Sequence, residues 1–375
     1  MMKRIITVGT DTSYAGALRD GDPVSQRGTT NRRPTQADVG RLAGVSSGVV
    51  SAVVNNRMDG SVRVGREAEA RVRAAIAKLG YVPNMAARQL AGGRNDVIGV
   101  FTYSPIFPTA AEDFYYPMLQ GIEEAAEHAG QNLLLFTGGP VSPEGTRMIY
   151  RDGVNSLQLA DGSILLGRDS DSEEVRRLSA DGYPFVYIGR HTEEHGDVSY
   201  VTANYAEATT AAVTRAVGLG HRQVAMIATD LWHPAMADRA EGFHAARAAL
   251  GLDTAPVYSV PSTDPVDDLV ASVIDQGVTC VFVADCLVAR AAVAVATARG
   301  LRVPEDFSVV SLSDYPGGTD PELNRVTSVL TPTLDLGRVS VSLLVELLTA
   351  DAREPVSRVV ACGFRDGETL ARVAA

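Results

Sequence analysis

From Asp96 onward the chain alternates short apolar runs with amphipathic helical stretches, and this alternation limits its folds more than any other feature. The runs are Val97–Phe101, Leu133–Phe136, Ser163–Leu166, Phe185–Ile188, Val224–Ala228, Cys280–Ala284 and Ser308–Leu312. Between them lie helical patterns such as Met118–Ala129, Ala206–Leu219, Ala237–Leu250 and Leu287–Arg299. Strand and helix taken in turn imply an α/β body of doubly wound parallel sheets with helices on both faces. The length of 96–375 is enough for two such lobes, and in folds of this kind ligands bind at the carboxyl ends of the strands.

The segment before this body reads differently. Thr35-Gln36-Ala37-Asp38 has capping-box spacing, and Val39, Leu42 and Ala43 follow at helical intervals. Gly44 allows a left-handed turn, Val45 can plug the corner, and Ser46 is a natural cap for a second helix that turns Val49, Val50 and Val53 inward. Two short helices so joined make a helix-turn-helix. After a polar loop, Asn55 to Gly65, a third helix carries Ala68, Val72, Ala75, Ile76 and Leu79 and stops at Gly80. Charge supports a nucleic-acid reading. Residues 1–95 hold 15 basic and 7 acidic residues, net +8, whereas the rest of the chain is −19 and the whole is −11. A basic head on an acidic body meets a polyanion through the head alone. Ser47, Gly48, Ser51, Ala52 and Asn55 project from the second helix away from its valines, as a helix lying in a major groove requires.

Residues 1–33 lack sustained periodicity and read as a disordered extension; the head is placed at 34–80, a hinge helix and linker at 81–95, and the body at 96–375. Between Pro83 and Gly92 only about seven residues can be helical, well below the roughly 12–15 at which an isolated helix becomes marginal. This tether is expected to order only on contact. Cys280, Cys286 and Cys362 lack CxxC spacing and a His cluster, so no disulfide framework, metal site or cofactor is expected. Apolar runs fall short of the roughly 20 residues that span a bilayer, and Ile5–Val8 is too short for a secretory signal. A cytoplasmic, nucleoid-associated protein with no membrane partner is expected.

The ordered set Asp38-Val39, Ala43-Gly44-Val45-Ser46, Val50-Ser51, Asn55, Tyr81-Val82-Pro83-Asn84, Ala87-Arg88 and Leu90 resembles the lactose and purine repressor (LacI/GalR) family of bacterial regulators. Further marks are Ile98-Gly99-Val100, Gly121-Ile122-Glu123, Leu219-Gly220-His221-Arg222, Arg239 before Gly242-Phe243, and Val303-Pro304-Glu305-Asp306. The resemblance covers roughly residues 35 to 372. It implies a homodimer, or a tetramer, whose heads bind double-stranded operator DNA while a body similar to periplasmic sugar-binding proteins senses a small-molecule effector, a sugar, nucleoside or related compound. By family pattern the DNA-binding residues are Thr35, Ser46, Ser47, Gly48, Val49, Ser51, Ala52, Asn55, Tyr81, Asn84, Ala87, Arg88, Leu90 and Ala91. Leu90 would be an apolar wedge at a central base step.

The chain also departs from that pattern. Ser47, Gly48 and Ala52 stand at base-reading positions, and none carries the bidentate fork that reads guanine. Val49 can touch a thymine methyl, and specificity is expected to lean on the hinge and on DNA shape. The effector cleft is expected to use Tyr103, Phe114, Tyr115, Arg190, Arg239, Asp285, Ser313 and Asp314. Gly189-Arg190, Ala284-Asp285 and Ser313-Asp314 each replace a more usual family pair, which points away from a typical hexose. His191, His195, His221, His233 and His244 show no HExxH or related spacing, so an enzyme is not expected. The alternative to a regulator is a cytoplasmic solute-binding protein without DNA regulation.

Overall fold

The computed structural model describes residues 34–54, 64–82, 94–103, 112–143, 145–167, 172–190, 197–229, 233–252, 254–260, 266–314, 321–350 and 354–373, with the backbone alone at 112–114 and 172. The extension 1–33, the loop at Asn55 and the hinge residues Asn84, Ala87, Arg88, Leu90 and Ala91 lie outside them. The chain separates into two units, residues 1–93 and 94–375.

Among the described residues the first unit holds three helices, α1 (Gln36–Ala43), α2 (Ser47–Val54) and α3 (Arg66–Leu79). Its core is Val39, Ala43, Val50, Val53, Val72 and Ala75, closed by Tyr81. The axes of α1 and α2 turn by 106°, within the range of helix-turn-helix pairs. Gly40 makes that turn possible, since a Cβ there would lie 2.8 Å from the Val45 carbonyl oxygen. Leu42, expected inward, is 45% exposed; an eight-residue helix has a single buried stripe, and Val39 and Ala43 occupy it.

The second unit contains two sheets. The first has the order β13-β7-β6-β5-β1-β2, formed by β1 (Val97–Thr102), β2 (Asn132–Phe136), β5 (Gly162–Leu166), β6 (Phe185–Ile188), β7 (Tyr200–Ala203) and β13 (Ser357–Val360), all parallel. The second has the order β14-β12-β11-β10-β8-β9, formed by β8 (Val224–Thr229), β9 (Val257–Val260), β10 (Cys280–Val283), β11 (Ser308–Ser311), β12 (Thr327–Leu330) and the antiparallel edge strand β14 (Gly363–Arg365). A small ribbon, β3 (Tyr150–Arg151) with β4 (Val154–Asn155), completes the strands.

Helices cover both faces. On the first sheet, α4 (Glu112–His128) and α11 (Thr333–Thr349) pack one side, and α5 (Ser172–Ala180) the other. On the second, α6 (Tyr205–Gly218) and α7 (Pro234–Ala249) oppose α8 (Asp267–Asp275) and α9 (Cys286–Ala298). The short α10 (Pro321–Arg325) precedes β12. Helix α4 begins six residues before the expected Met118 and contains Pro117, which removes one intrahelical hydrogen bond without ending the helix. Strand β2 is an edge strand with Leu135 39% exposed, although its apolar run reads as buried. Periodicity cannot place a strand within its sheet.

Two close approaches set the helix positions. A Cβ at Gly337 would meet the Met118 carbonyl oxygen at 2.2 Å, and one at Gly121 the Leu334 carbonyl oxygen at 2.0 Å, so α4 and α11 touch backbone to backbone. His221, after Gly220, is buried; Nε2 donates to the Ala371 carbonyl at 2.9 Å and Nδ1 accepts from Thr279 Oγ1 at 2.9 Å. Burial lowers its pKa, and it pins the C-terminal tail as a neutral structural ring. The expected cost of Gly337→Ala is about 1–3 kcal/mol of stability, read as a lower urea midpoint, whereas Gly138→Ala, where the new methyl meets nothing within 4 Å, should leave the midpoint unchanged.

Candidate functional site

Two places collect the residues singled out by sequence. In the head, Thr35 caps α1. Its amide and hydroxyl both donate to Asp38 Oδ2, at 2.9 and 2.7 Å, and its Oγ1 accepts from the Asp38 amide at 3.4 Å. Gly44 takes φ +69° and Val45 returns its amide to the Gly40 carbonyl at 2.9 Å, which aims α2. Ser46 Oγ accepts from the Val49 amide at 3.4 Å. Ser46, Ser47 and Gly48 are exposed at the start of α2, whereas Val49, Ser51 and Ala52 are half-buried. Val49 packs against the head core and has only part of its side chain left for a partner. Tyr81, expected at the DNA, is 8% exposed and belongs to that core. An eight-residue helix is about 12 Å long, comparable to the width of a major groove of about 12 Å. Helix α2 bears no charged side chain, so the cations of the head lie on its other elements. Arg71 reaches the Ala43 carbonyl at 3.1 Å and ties α3 to the turn between α1 and α2.

The second place is where strands of both sheets end. The chain passes between the lobes three times, from β7 into α6 at Asn204, from β12 into α11 at Thr331, and from β13 into β14 at Cys362. These crossings are bonded to one another and to the cleft. Asn204 Oδ1 accepts the Cys362 amide at 2.7 Å, its own amide donates to the Val360 carbonyl at 3.1 Å, and Asp314 Oδ1 accepts the Thr331 amide at 2.8 Å. Burial raises the Asp314 pKa against the hydrogen bond from Thr331.

Arg239 on α7 is 6% exposed; its Nε donates to the Leu312 carbonyl at 2.9 Å, and its guanidinium lies over the Tyr205 ring, 4.5 Å from the centroid. Burial pushes the Tyr205 phenol up to about 12, opposed by the Arg239 charge. Arg190, at the end of β6, pairs with Asp238 through Nη2 to Oδ1 at 2.7 Å. Asp285 caps α9, its Oδ1 accepting the Leu287 and Val288 amides at 2.8 and 3.2 Å. Ser313 is half-buried and bonded through its backbone to Ser311. Thus Arg239, Asp314, Ser313 and Asp285 gather at the ends of second-lobe strands.

Other expected contacts fall elsewhere. Tyr103 is fully buried in the first-lobe core, its ring edge-on to Phe101 at 5.0 Å between centroids, because Gly167 lets the neighbouring chain close over it. Tyr115 is half-buried and packs against the core under α4, and the Phe114 side chain lies outside the described residues. Sequence reasoning missed Asp238, Tyr205 and the Thr331 and Cys362 crossings. The acid beside Arg239 and the aromatic after Asn204 were the available signals. Among the described residues no group of His, Cys, Asp and Glu is arranged to hold a metal ion, and no single helix is long and apolar enough to cross a membrane. Cys280 and Cys286 are buried and Cys362 half-buried; burial pushes the Cys286 thiol up to about 12 and that of Cys362 up to about 11.

Two family models match the chain: bacterial regulatory proteins of the lacI family over residues 35–84, and the periplasmic binding protein-like domain over residues 213–370. The HTH-type transcriptional regulator CelR of Thermobifida fusca is 34% identical over 337 residues, spanning 88% of this chain and 96% of its own. A solved CelR–cellobiose complex matches with a TM-score of 0.58 at 31% identity, covering 90% of this chain and 100% of that one. The lac repressor dimer bound to operator and the anti-inducer ONPF shares the fold, with a TM-score of 0.66 at 24% identity, covering 92% and 100%. For the head, Thr35→Ala removes the cap of α1 and is expected to lower its stability by about 1 kcal/mol, measured as faster amide exchange in α1 with exchange in the second unit unchanged.

Proposed function

This chain belongs to the lacI family of bacterial regulatory proteins and is a DNA-binding transcriptional regulator rather than an enzyme. From that premise we propose that it is a repressor, acting as a dimer on a two-half-site operator in the cytoplasm at the nucleoid, with a neutral carbohydrate as effector. The observation that carries the effector reading is Arg239. Buried, fixed to the Leu312 carbonyl and laid on Tyr205, it presents a guanidinium whose orientation is set before any ligand arrives. Preorganised donors of this kind bind without an ordering cost.

The charges around it favour a neutral ligand. Arg190 is paired with Asp238, Asp285 caps a helix and Asp314 holds a crossing. Each carries protein hydrogen bonds already, so a hydroxylated ligand adds bonds to their remaining lone pairs and protons without bringing a charge that lacks a counterpart. Cellobiose, bound by the CelR relative, is the natural first probe. Tyr115, half-buried on α4, enters this proposal as a flanking aromatic group of the first lobe, whereas Tyr103 is core of that lobe and takes no part in it.

At the DNA, the exposed start of α2, with Ser46, Ser47 and Gly48, meets backbone and base edges, Thr35 and Tyr81 support it, and Ser51, Ala52 and Asn55 follow along the groove. Asn84, Ala87, Arg88, Leu90 and Ala91 form the hinge contact in the minor groove, with Leu90 as the wedge. A thin direct readout from α2 places discrimination in DNA deformation at the hinge. Ligand between the lobes biases their orientation, and the tethers respond by folding or melting.

Gel-shift titration tests the DNA half: affinity for an operator-like duplex should fall roughly a thousandfold between 50 and 200 mM salt, and salt-insensitive or absent binding would refute it. Leu90→Ala should weaken operator binding by about tenfold or more, as loss of an unstacking contact predicts, and leave random-duplex binding nearly unchanged. Arg239→Ala should reduce cellobiose affinity by roughly tenfold to a hundredfold, the range for a hydrogen bond to a charged group, in calorimetry or thermal shift, while operator binding without ligand persists. An unchanged cellobiose titration would sink the role given to Arg239.

A further inference from the structure

Arg190 and Asp238 come from different lobes. Arg190 follows β6 of the first sheet, just past Gly189, which takes φ +125° and whose amide donates to the Val201 carbonyl of β7 at 2.8 Å. Asp238 lies on α7, which covers the second sheet. Their Nη2–Oδ1 distance is 2.7 Å, with the Asp238 side chain 9% exposed and that of Arg190 38% exposed. Among the described residues the other long-range ion pairs stay within a lobe: Arg338–Glu124 and Arg358–Glu346 in the first, Arg215–Asp366, Arg299–Asp275 and Arg325–Glu368 in the second.

We propose that the Arg190–Asp238 pair is an interlobe clasp that presets closure of the cleft before any effector binds, with Arg190 acting as a positioning residue in the ligand-free protein. Three single-strand crossings join the lobes, and such connections permit rotation about a common axis. A side-chain bridge between the moving bodies resists it. The carboxylate is deeply buried, so without its cation it is left in surroundings that disfavour the charged form. Opening the lobes hydrates it, and the ligand-free protein therefore shifts toward the open form when the pair is broken.

The consequence for DNA rests on the regulator reading; the closure itself does not. The test is the distance between one spin label on each lobe, measured by pulsed electron resonance on the ligand-free full chain. Arg190→Ala should lengthen and broaden the distribution, Asp238→Asn, which keeps side-chain shape, should do so to a smaller extent, and the swap Arg190→Asp with Asp238→Arg should return it toward the original. Unchanged distances in both single variants, or a folded swap that does not restore them, overturns the clasp. Operator affinity without ligand is read on the same proteins. Shifted distances with no DNA binding in any of them leave the clasp standing and remove the regulator reading, whereas normal DNA binding with unshifted distances does the reverse.

Discussion

Three passages of the chain between the two six-stranded sheets, at Asn204, Thr331 and Cys362, are the constraint on which the effector body depends. Because the crossings are bonded laterally, through the Asn204 side chain to the Cys362 amide and through Asp314 to the Thr331 amide, the lobes are held together at a shared pivot. Cys362 packs against the cores of both lobes. Everything at the ends of the strands is then close to the axis about which the lobes can move. A ligand there acts on lobe orientation at short range, and a side chain that bridges the lobes there has the same authority.

Rigidity away from the pivot comes from helix packing on each sheet. Gly121 and Gly337 bring α4 and α11 into backbone contact, and Gly242 does the same for α7 against the Ala206 carbonyl of α6. Such contacts leave little room for sliding, because packed interiors resist small displacements. The lobes therefore behave as bodies, and a change at the cleft is expressed as rotation. The head follows another rule: a core of six alanines and valines closed by Tyr81, a capped first helix and a glycine turn present one short uncharged helix. Its second helix offers no charged group for base readout, which is why the proposed reading puts selectivity in deformation of the duplex.

Much of this was legible from residues alone. The capping box at Thr35, the left-handed Gly44 and the stop at Gly80 are local chemistry, and local chemistry is written in adjacent positions. The strands at 97, 163, 185, 224, 280 and 308 show as apolar runs because both their faces are covered. Less legible were β7, β9 and β12–β14, whose three to four residues carry too little pattern, and α11, whose valines and leucines suit strand and helix alike. In the cleft, Arg239 and Asp314 were found by motif, while Asp238 and Tyr205 were not, since their importance lies in what stands across from them.

The sequence by itself determined the kinds of elements, the helix-turn-helix, the division into a basic head and an acidic body, and the family to which they belong, because propensity, periodicity and charge are properties of neighbours along the chain. Only the tertiary structure decided that Arg190 faces Asp238, that Tyr103 and Tyr81 are core residues, that β2 is an edge, and that Asp285 and Asp314 serve a helix cap and a crossing. Those outcomes turn on groups far apart in sequence competing for the same partner or the same buried space, and that competition is settled only when the chain has closed upon itself.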